Sequence, residues 1–280
     1  LYRYKRITDA SFLNYAHSTS GNVIAPRLAL NYAISKNIFL YAVTAKGFSP
    51  PSLAEIHPSD GLFHTELKPE YGWNEEVGWK GGLWHHRFEF DMAFYYFHLN
   101  NAIVSRNNAA GNQYFVNAGG ADEKGIECWM QYHLLTKSFS LFQKIDVFSS
   151  YSYQPYYFTT YLQGNNNYSG NAVTGVPQHI HVVGLNMQLK QNWYANILYN
   201  TVDAIPLNDA NDEYANAYHL LQCKLGKTFV WHTTKVEIYM GGDNLLNELY
   251  SLGNDINAAG RRYYNPAAAR NFYGGVKVVL

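Results

Sequence analysis

Apolar and polar residues alternate with a period of two along most of this chain, the mark of strands with one greasy and one wet face. Residues 87–97, RFEFDMAFYYF, are the clearest run. Phe88, Phe90, Met92, Phe94 and Tyr96 fall on one face; Arg87, Glu89, Asp91 and Tyr95 fall on the other. The same parity recurs at 181–190, where Val183, Leu185, Met187 and Leu189 oppose Asn186, Gln188 and Lys190. Val236, Ile238 and Met240 oppose Lys235, Glu237 and Tyr239, and Phe272, Gly274, Val276, Val278 and Leu280 oppose Lys277. The pattern predicts about twelve strands, at 1–8, 22–34, 38–47, 70–81, 87–104, 113–134, 139–158, 176–190, 193–205, 214–228, 233–243 and 270–280.

The breaks between strands then order them. Short connections are predicted at Ser35–Asn37, near Gly82, at Thr136–Lys137, at Gln191–Asn192 and near Trp231–His232. Long ones are predicted at 9–21, 48–69, 159–175 and 244–269, with shorter ones near 105–112 and 206–213. Such alternation is what antiparallel neighbours produce when one rim is decorated and the other is not. Pro50 and Pro51 cannot donate to a ladder, so a strand must end there. Gly119 and Gly120 mark a bulge or bend. Asn244 and Asn247 close a strand with side chains able to bond their own backbone.

Strand length separates two all-β architectures. Sandwich strands run about 5–6 residues, a tilted membrane strand needs about 9–11, and several runs here are longer still. Rings also bunch near strand ends, at Trp73, Trp79, Trp84, Trp193, Trp231, Tyr151, Tyr153 and Tyr156. Two girdles of amphipathic rings suit the two headgroup layers of a bilayer. The expectation is an all-β, antiparallel transmembrane β-barrel, with a two-sheet sandwich as the alternative. Charges at 87, 89, 91, 127, 146, 190, 224, 237 and 277 should face the lumen. Phe88, Phe90, Met92, Val236, Ile238, Val276 and Val278 should face lipid, and so be solvent-exposed where no lipid is present.

Composition agrees. Aromatic residues make up 16% of the chain and charged residues only 15%, against about 25% charged in ordinary soluble domains. A hydrophobic share of 47% excludes disorder, and no run reaches the ~18 apolar residues of a spanning helix. Twenty-one basic residues balance 21 acidic ones, so the bulk charge carries no nucleic-acid footprint. Cys128 and Cys223 sit in no CxxC or metal spacing and read as isolated thiols, unless their strands pack side by side. Leu1–Tyr4 reads as the inside of a strand rather than as a signal peptide, so a mature, truncated or fragmentary chain is expected.

Catalytic chemistry is sparse. No GxSxG, HExxH or GxxxxGK[ST] appears, and nothing in the spacing joins Ser105 to His98 or Asp209 to Asp212. Neither an enzyme nor a cofactor is expected. His179 and His181 read as an interface-level pair. His57 and His64 share a long loop with Asp60 and Glu66, a polar cluster more than a metal site. Arg261 and Arg262 suit an anionic ligand, since Arg forks match carboxylates; a solvated loop or a contact with lipid headgroups is the alternative. The Tyr-rich run 151–161 offers stacking surface. Loops sharing one rim make His57, His64, Tyr157, Tyr161, Arg261, Arg262 and Tyr263 the candidate ligand contacts.

Five segments stand in register: KGFSPPSLAEI at 46–56, LKPEYGWNEEVGWK at 67–80, FVNAGGADEKGIE at 115–127, GGDNLLNELY at 241–250 and YYNPAAARNFYGGVKVVL at 263–280. In this order the set resembles the C-terminal half of the barrel of TonB-dependent outer-membrane receptors, in the siderophore and iron-complex branch. The resemblance implies a barrel of about 22 strands filled by an N-terminal plug, of which residues 1–280 form the C-terminal portion with the plug absent. It further implies an outer-membrane location and contact with the lipid bilayer. An iron complex would be the small-molecule ligand, and a TonB-type energising complex would act through the plug region. A passive porin and a surface adhesin, neither coupled to energy, are the alternatives. The family usually ends in an aromatic residue, and Leu280 departs from that.

Overall fold

The computed structural model describes the backbone of residues 2–9 and 12–18 and, with side chains, residues 24–108, 110–135 and 139–279. Its wall is one antiparallel sheet whose strands follow in chain order. They are β1 (Arg27–Ser35), β2 (Ile38–Ser49), β3 (Glu70–Leu83), β4 (Phe88–Asn100), β5 (Gly120–Leu135), β6 (Phe142–Tyr153), β7 (His179–Leu189), β8 (Trp193–Val202), β9 (Tyr218–Trp231), β10 (Thr234–Asp243) and β11 (Asn271–Val279). A further short strand, Tyr157–Thr160, pairs with the start of β5. Among the described residues β1 and β11 are free edges, so the sheet is open rather than closed on itself. β5 has 16 residues and β3 and β9 have 14 each, ample against the ~9–11 that a tilted membrane strand requires.

Register assigns each parity to a face, because residues directly opposite in an antiparallel ladder project to the same side. One face carries Val77, Phe94 and Ile126 in one row and Trp79, Met92 and Cys128 in the next. It continues through Val147, Leu185, Ile197 and Cys223 to Ile238 and Val276. The other face carries Lys80 opposite Asp91, Asp146 in a row with Asn186, Asn196 and Lys224, and Glu237 opposite Lys277. No second sheet covers the apolar face among the described residues, and Phe272 there is 74% exposed and Val276 65%. Apolar area left in water costs ~25 cal/mol per Å², so this surface is suited to lipid. The sandwich alternative fails on the same observation.

Some assignments need correction. Phe88, Phe90, Met92 and Val236 are half-buried rather than fully exposed. Large same-face neighbours shade one another, as Phe88 and Phe90 do with ring centroids 6.0 Å apart. Arg87 and Lys190 stand in short turns just beyond the ends of their strands, each still joined to the neighbouring chain segment by one backbone hydrogen bond. Trp79 stacks within the apolar face on Phe94, 5.7 Å away. Trp84, Trp193 and Trp231 mark the short-turn rim, and Trp73, Tyr151, Tyr153 and Tyr199 lie toward the opposite end of their strands.

The polar face fits together by laying rings over glycines. Tyr41 covers Gly78, Tyr95 covers Gly125, Phe148 covers Gly184 and Tyr194 covers Gly226, while Tyr273 and Tyr239 cover Gly241 and Gly275. A Cβ at Gly184 would stand 2.0 Å from Phe148, so only glycine admits the ring. Several charges on this face are paired. Lys224 Nζ lies 4.1 Å from the Tyr239 ring centre and 3.6 Å from Glu237 Oε1, and Asp146 receives Lys144 at 2.7 Å and His133 at 2.6 Å.

Connections alternate as expected, with the long ones (50–69, 101–119, 154–178, 203–217 and 244–270) all at one rim. β2 ends at Ser49, before the two prolines. Gly119 turns the chain at φ +93° just before β5, and Asn244 bonds Glu248 through both its carbonyl oxygen and its amide. Two expected bounds shift. The expected strand 87–104 ends at Asn100, and Ile103–Asn107 pairs with Gln113–Asn117 as a separate hairpin inside the connection. The expected connection 9–21 contains a strand, Phe12–Ser18, paired with Tyr2–Asp9 in a two-stranded sheet apart from the wall. In both cases short strands without a long periodic run gain their identity from backbone pairing. Leu280 and the expected turn at Thr136–Lys137 lie outside the described residues. Cys128 and Cys223 are free thiols on β5 and β9, strands separated in the sheet by others.

Candidate functional site at the long-loop rim

Loop backbones carry polar groups that must find partners, and here the partners come from neighbouring loops. Asp209, in the 203–217 loop, is the hub. Its carboxylate receives the Arg106 guanidinium at 2.5 Å, the Tyr161 hydroxyl at 2.9 Å, the Thr174 hydroxyl and the Asn257 amide at 3.2 Å. Its backbone N–H donates to Asn257 at 3.1 Å and its carbonyl accepts from Asn171 at 2.7 Å. Arg106 is 4% exposed and Asp209 3%, and the guanidinium also lies over the Tyr161 ring, 5.1 Å from its centre. Four long loops thus meet at one carboxylate. Asparagines serve as surrogate backbone: Asn211 both accepts from and donates to Ala172, at 2.7 and 3.1 Å.

The predicted ligand residues range from exposed (Arg261 and Arg262) through half-buried (His57, His64 and Tyr157) to buried (Tyr161 and Tyr263). Tyr161 is 1% exposed and Tyr263 6%. Tyr161 spends its hydroxyl on Asp209, and Tyr263 packs with Leu207 and Ala215. Both hold loops together. Arg261 is exposed but ion-paired to Glu213 at 2.6 Å. Arg262 is exposed, and its side chain makes one hydrogen bond, from Nε to the Ala259 carbonyl at 3.4 Å. It lines a polar cleft of about 650 Å³ between the 101–119 and 244–270 loops. Tyr157 lines a second cleft of about 580 Å³ between the 154–178 and 203–217 loops, its hydroxyl bonded by Gln178 at 3.0 Å.

His57 and His64 lie together in the 50–69 loop but have different roles. His57 packs its ring edge-on against Phe63, 4.4 Å away. His64 bridges Asp60 at 2.7 Å and Glu66 at 3.0 Å. Burial alone would lower the His64 pKa, but the hydrogen bonds and charges of those carboxylates outweigh it and hold the imidazole above its ordinary value. Burial likewise works to raise Asp60. The Leu62 N–H and His64 overcome it, holding the carboxyl below the usual range. No group of three or more His, Cys, Asp or Glu among the described residues is placed to hold a metal ion. Ser105 and His98 take separate partners, Gln113 and Asp122, and Asp212 bonds Asn208.

Sequence reasoning missed Arg106 and Asn257. A single arginine in the otherwise uncharged stretch Val104–Asn108, with Asp209 a hundred positions away, was the available signal, and it was too weak to use.

A family model described as the TonB-dependent receptor-like β-barrel matches residues 2–245. The chain belongs to that family. Solved structures agree on the fold of this receptor barrel. The unliganded ferric citrate transporter FecA superposes with a TM-score of 0.71 at 17% identity, over 91% of this chain and 38% of its own. The siderophore receptor PiuA from Acinetobacter baumannii gives 0.70 at 15% identity, over 98% and 38%. The copper transporter OprC gives 0.69 at 15% identity, over 89% and 38%. The chain therefore spans less than half the length of the receptors it matches. Their family places its barrels in the outer membrane.

Proposed function

We propose that this chain is the C-terminal portion of the barrel of an outer-membrane receptor that imports a scarce iron complex, a ferric siderophore above all. Energy would come from a TonB-type complex acting through a plug that lies elsewhere in the parent protein. The observation carrying this reading is the family match across residues 2–245, on a sheet whose long loops all gather at one rim. FecA and PiuA, by their names, handle ferric citrate and siderophores. OprC, a copper transporter of the same fold, is a reminder that fold alone does not choose the cargo. In this reading the barrel supplies wall and outer loops rather than catalysis.

Ligand contact falls to the members of the predicted set that are exposed, Arg261 and Arg262, or half-buried, His57, His64 and Tyr157. Tyr161 and Tyr263 shape the loops that present them. The test is growth of a deletion strain on single ferric siderophores as iron source, complemented with the full-length gene, with and without the energising complex. Uptake restored only when the complex is intact supports the reading. Uptake independent of it indicates a passive porin, and no effect on uptake together with lost surface attachment indicates an adhesin. Both rivals lie outside the family to which the chain belongs.

A further inference from the structure

The cleft beside Arg262 has an unusual balance of donors and acceptors. Asn107 and Gln113 come to it from the 103–117 hairpin, and Asn254, Asp255, Arg262 and Asn265 from the last long loop. One N–H of each of three carboxamides is already engaged by the protein. Asn107 Nδ2 donates to the Asn257 carbonyl at 3.1 Å, Gln113 Nε2 to the Ser105 hydroxyl at 2.8 Å and Asn265 Nδ2 to the Gly253 carbonyl at 3.1 Å. The carbonyl partners also decide which end of the Asn107 and Asn265 amides is oxygen, since a carbonyl only accepts. Among the described residues the side-chain oxygens of Asn107, Gln113 and Asn265 accept nothing, and the Asp255 carboxylate has neither an ion pair nor a side-chain hydrogen bond. Asn254 Oδ1, deeper in the wall, is shut from solvent without a partner.

The wall therefore offers acceptors fixed in place by their own amide bonds, one carboxylate, and one cation whose terminal nitrogens make no other bond among the described residues. Acceptor arrays recognise N–H and O–H donors, and a guanidinium fork recognises a carboxylate. We infer that this cleft binds a zwitterionic, peptide-like group: its ammonium and amide N–H donors meet Asp255 and the carboxamide oxygens, and its carboxylate meets Arg262. Resting on the uptake reading, this names the chemistry that an imported complex would present, a carrier with amino-acid character rather than a purely anionic one.

The experiment uses the full-length receptor in detergent with Tyr264→Trp as a fluorescent reporter, since Tyr264 also lines the cleft. It is titrated with tri-alanine, with N-acetyl-tri-alanine, which lacks the ammonium, and with tri-alanine amide, which lacks the carboxylate. Tri-alanine should bind about tenfold or more tightly than either derivative. Asp255→Asn should abolish the preference over the acetylated peptide alone, and Arg262→Gln the preference over the amide alone. Equal binding of the three peptides, no saturable binding of tri-alanine, or preferences that survive both substitutions would overturn the assignment. Iron-limited growth is scored separately. A receptor that supports uptake yet ignores tri-alanine overturns only the cleft, and one that binds tri-alanine but never supports uptake overturns only the transport reading.

Discussion

Arg106 and Asp209 lie 2.5 Å apart, Nη1 to Oδ2, and both are almost fully buried beneath the long loops. One comes from the hairpin between β4 and β5 and the other from the connection between β8 and β9, so the pair ties together parts of the rim that the wall alone would leave independent. Breaking a buried pair from one side leaves an uncompensated charge, at a cost of about 3–5 kcal/mol. Asp209→Ala should therefore free the 101–119, 154–178, 203–217 and 244–270 loops while the wall stays folded. Limited proteolysis and hydrogen exchange would read this as faster cleavage and exchange in those loops alone. Unchanged loop protection would refute the hub.

His64 and its carboxylates predict a pH dependence. The His64 pKa is raised, so its contribution is complete below the ordinary value of 6.5 and is lost as pH climbs through the higher folded value. The Asp60 pKa is lowered, so its contribution is complete above 3.8 and is lost as pH falls through the lower folded value. Between 3.8 and 6.5 the 50–69 loop keeps both. NMR titration should place the His64 midpoint above 6.5, and Asp60→Asn should move it down. A midpoint unmoved by Asp60→Asn would contradict the assignment.

Gly184 tests the ring-over-glycine packing. Adding a methyl group beneath Phe148 overpacks the polar face, and such changes cost about 1–3 kcal/mol. Gly184→Ala should lower the urea midpoint of the refolded receptor, and Phe148→Ala in the same chain should recover part of the loss. A double variant no more stable than Gly184→Ala would show that the two do not compete for space.

Faces can be checked with a single charge. Ile238 stands on the apolar face and Glu237 beside it points to the polar one. Ile238→Lys should cost about 2–4 kcal/mol if that position lies near mid-bilayer, and Glu237→Gln should cost much less. Folding into lipid vesicles, measured by the heat-dependent gel shift, would rank them; the reverse order would exchange the two faces.

Much of the wall was legible in the sequence because side chains on a strand alternate regardless of what the strand pairs with. Phe88–Tyr96 and Val236–Met240 could be sorted by parity, Pro50 had to end a strand, and Gly119 had to bend one. These are local rules of one or two dihedrals, and the register obeys them. The family resemblance was legible for the same reason, since its segments sit at strand ends and turns. The loops follow a different logic. Whether Tyr161 and Tyr263 meet solvent, or Arg261 is free or held by Glu213, depends on contacts between loops far apart in the chain. Asn257 reaches Ser105 across 152 positions. No period encodes such a partner. A buried polar group takes whichever neighbour the folded wall brings within hydrogen-bond reach, and only the tertiary structure decided that Asp209 would be that neighbour for three other loops.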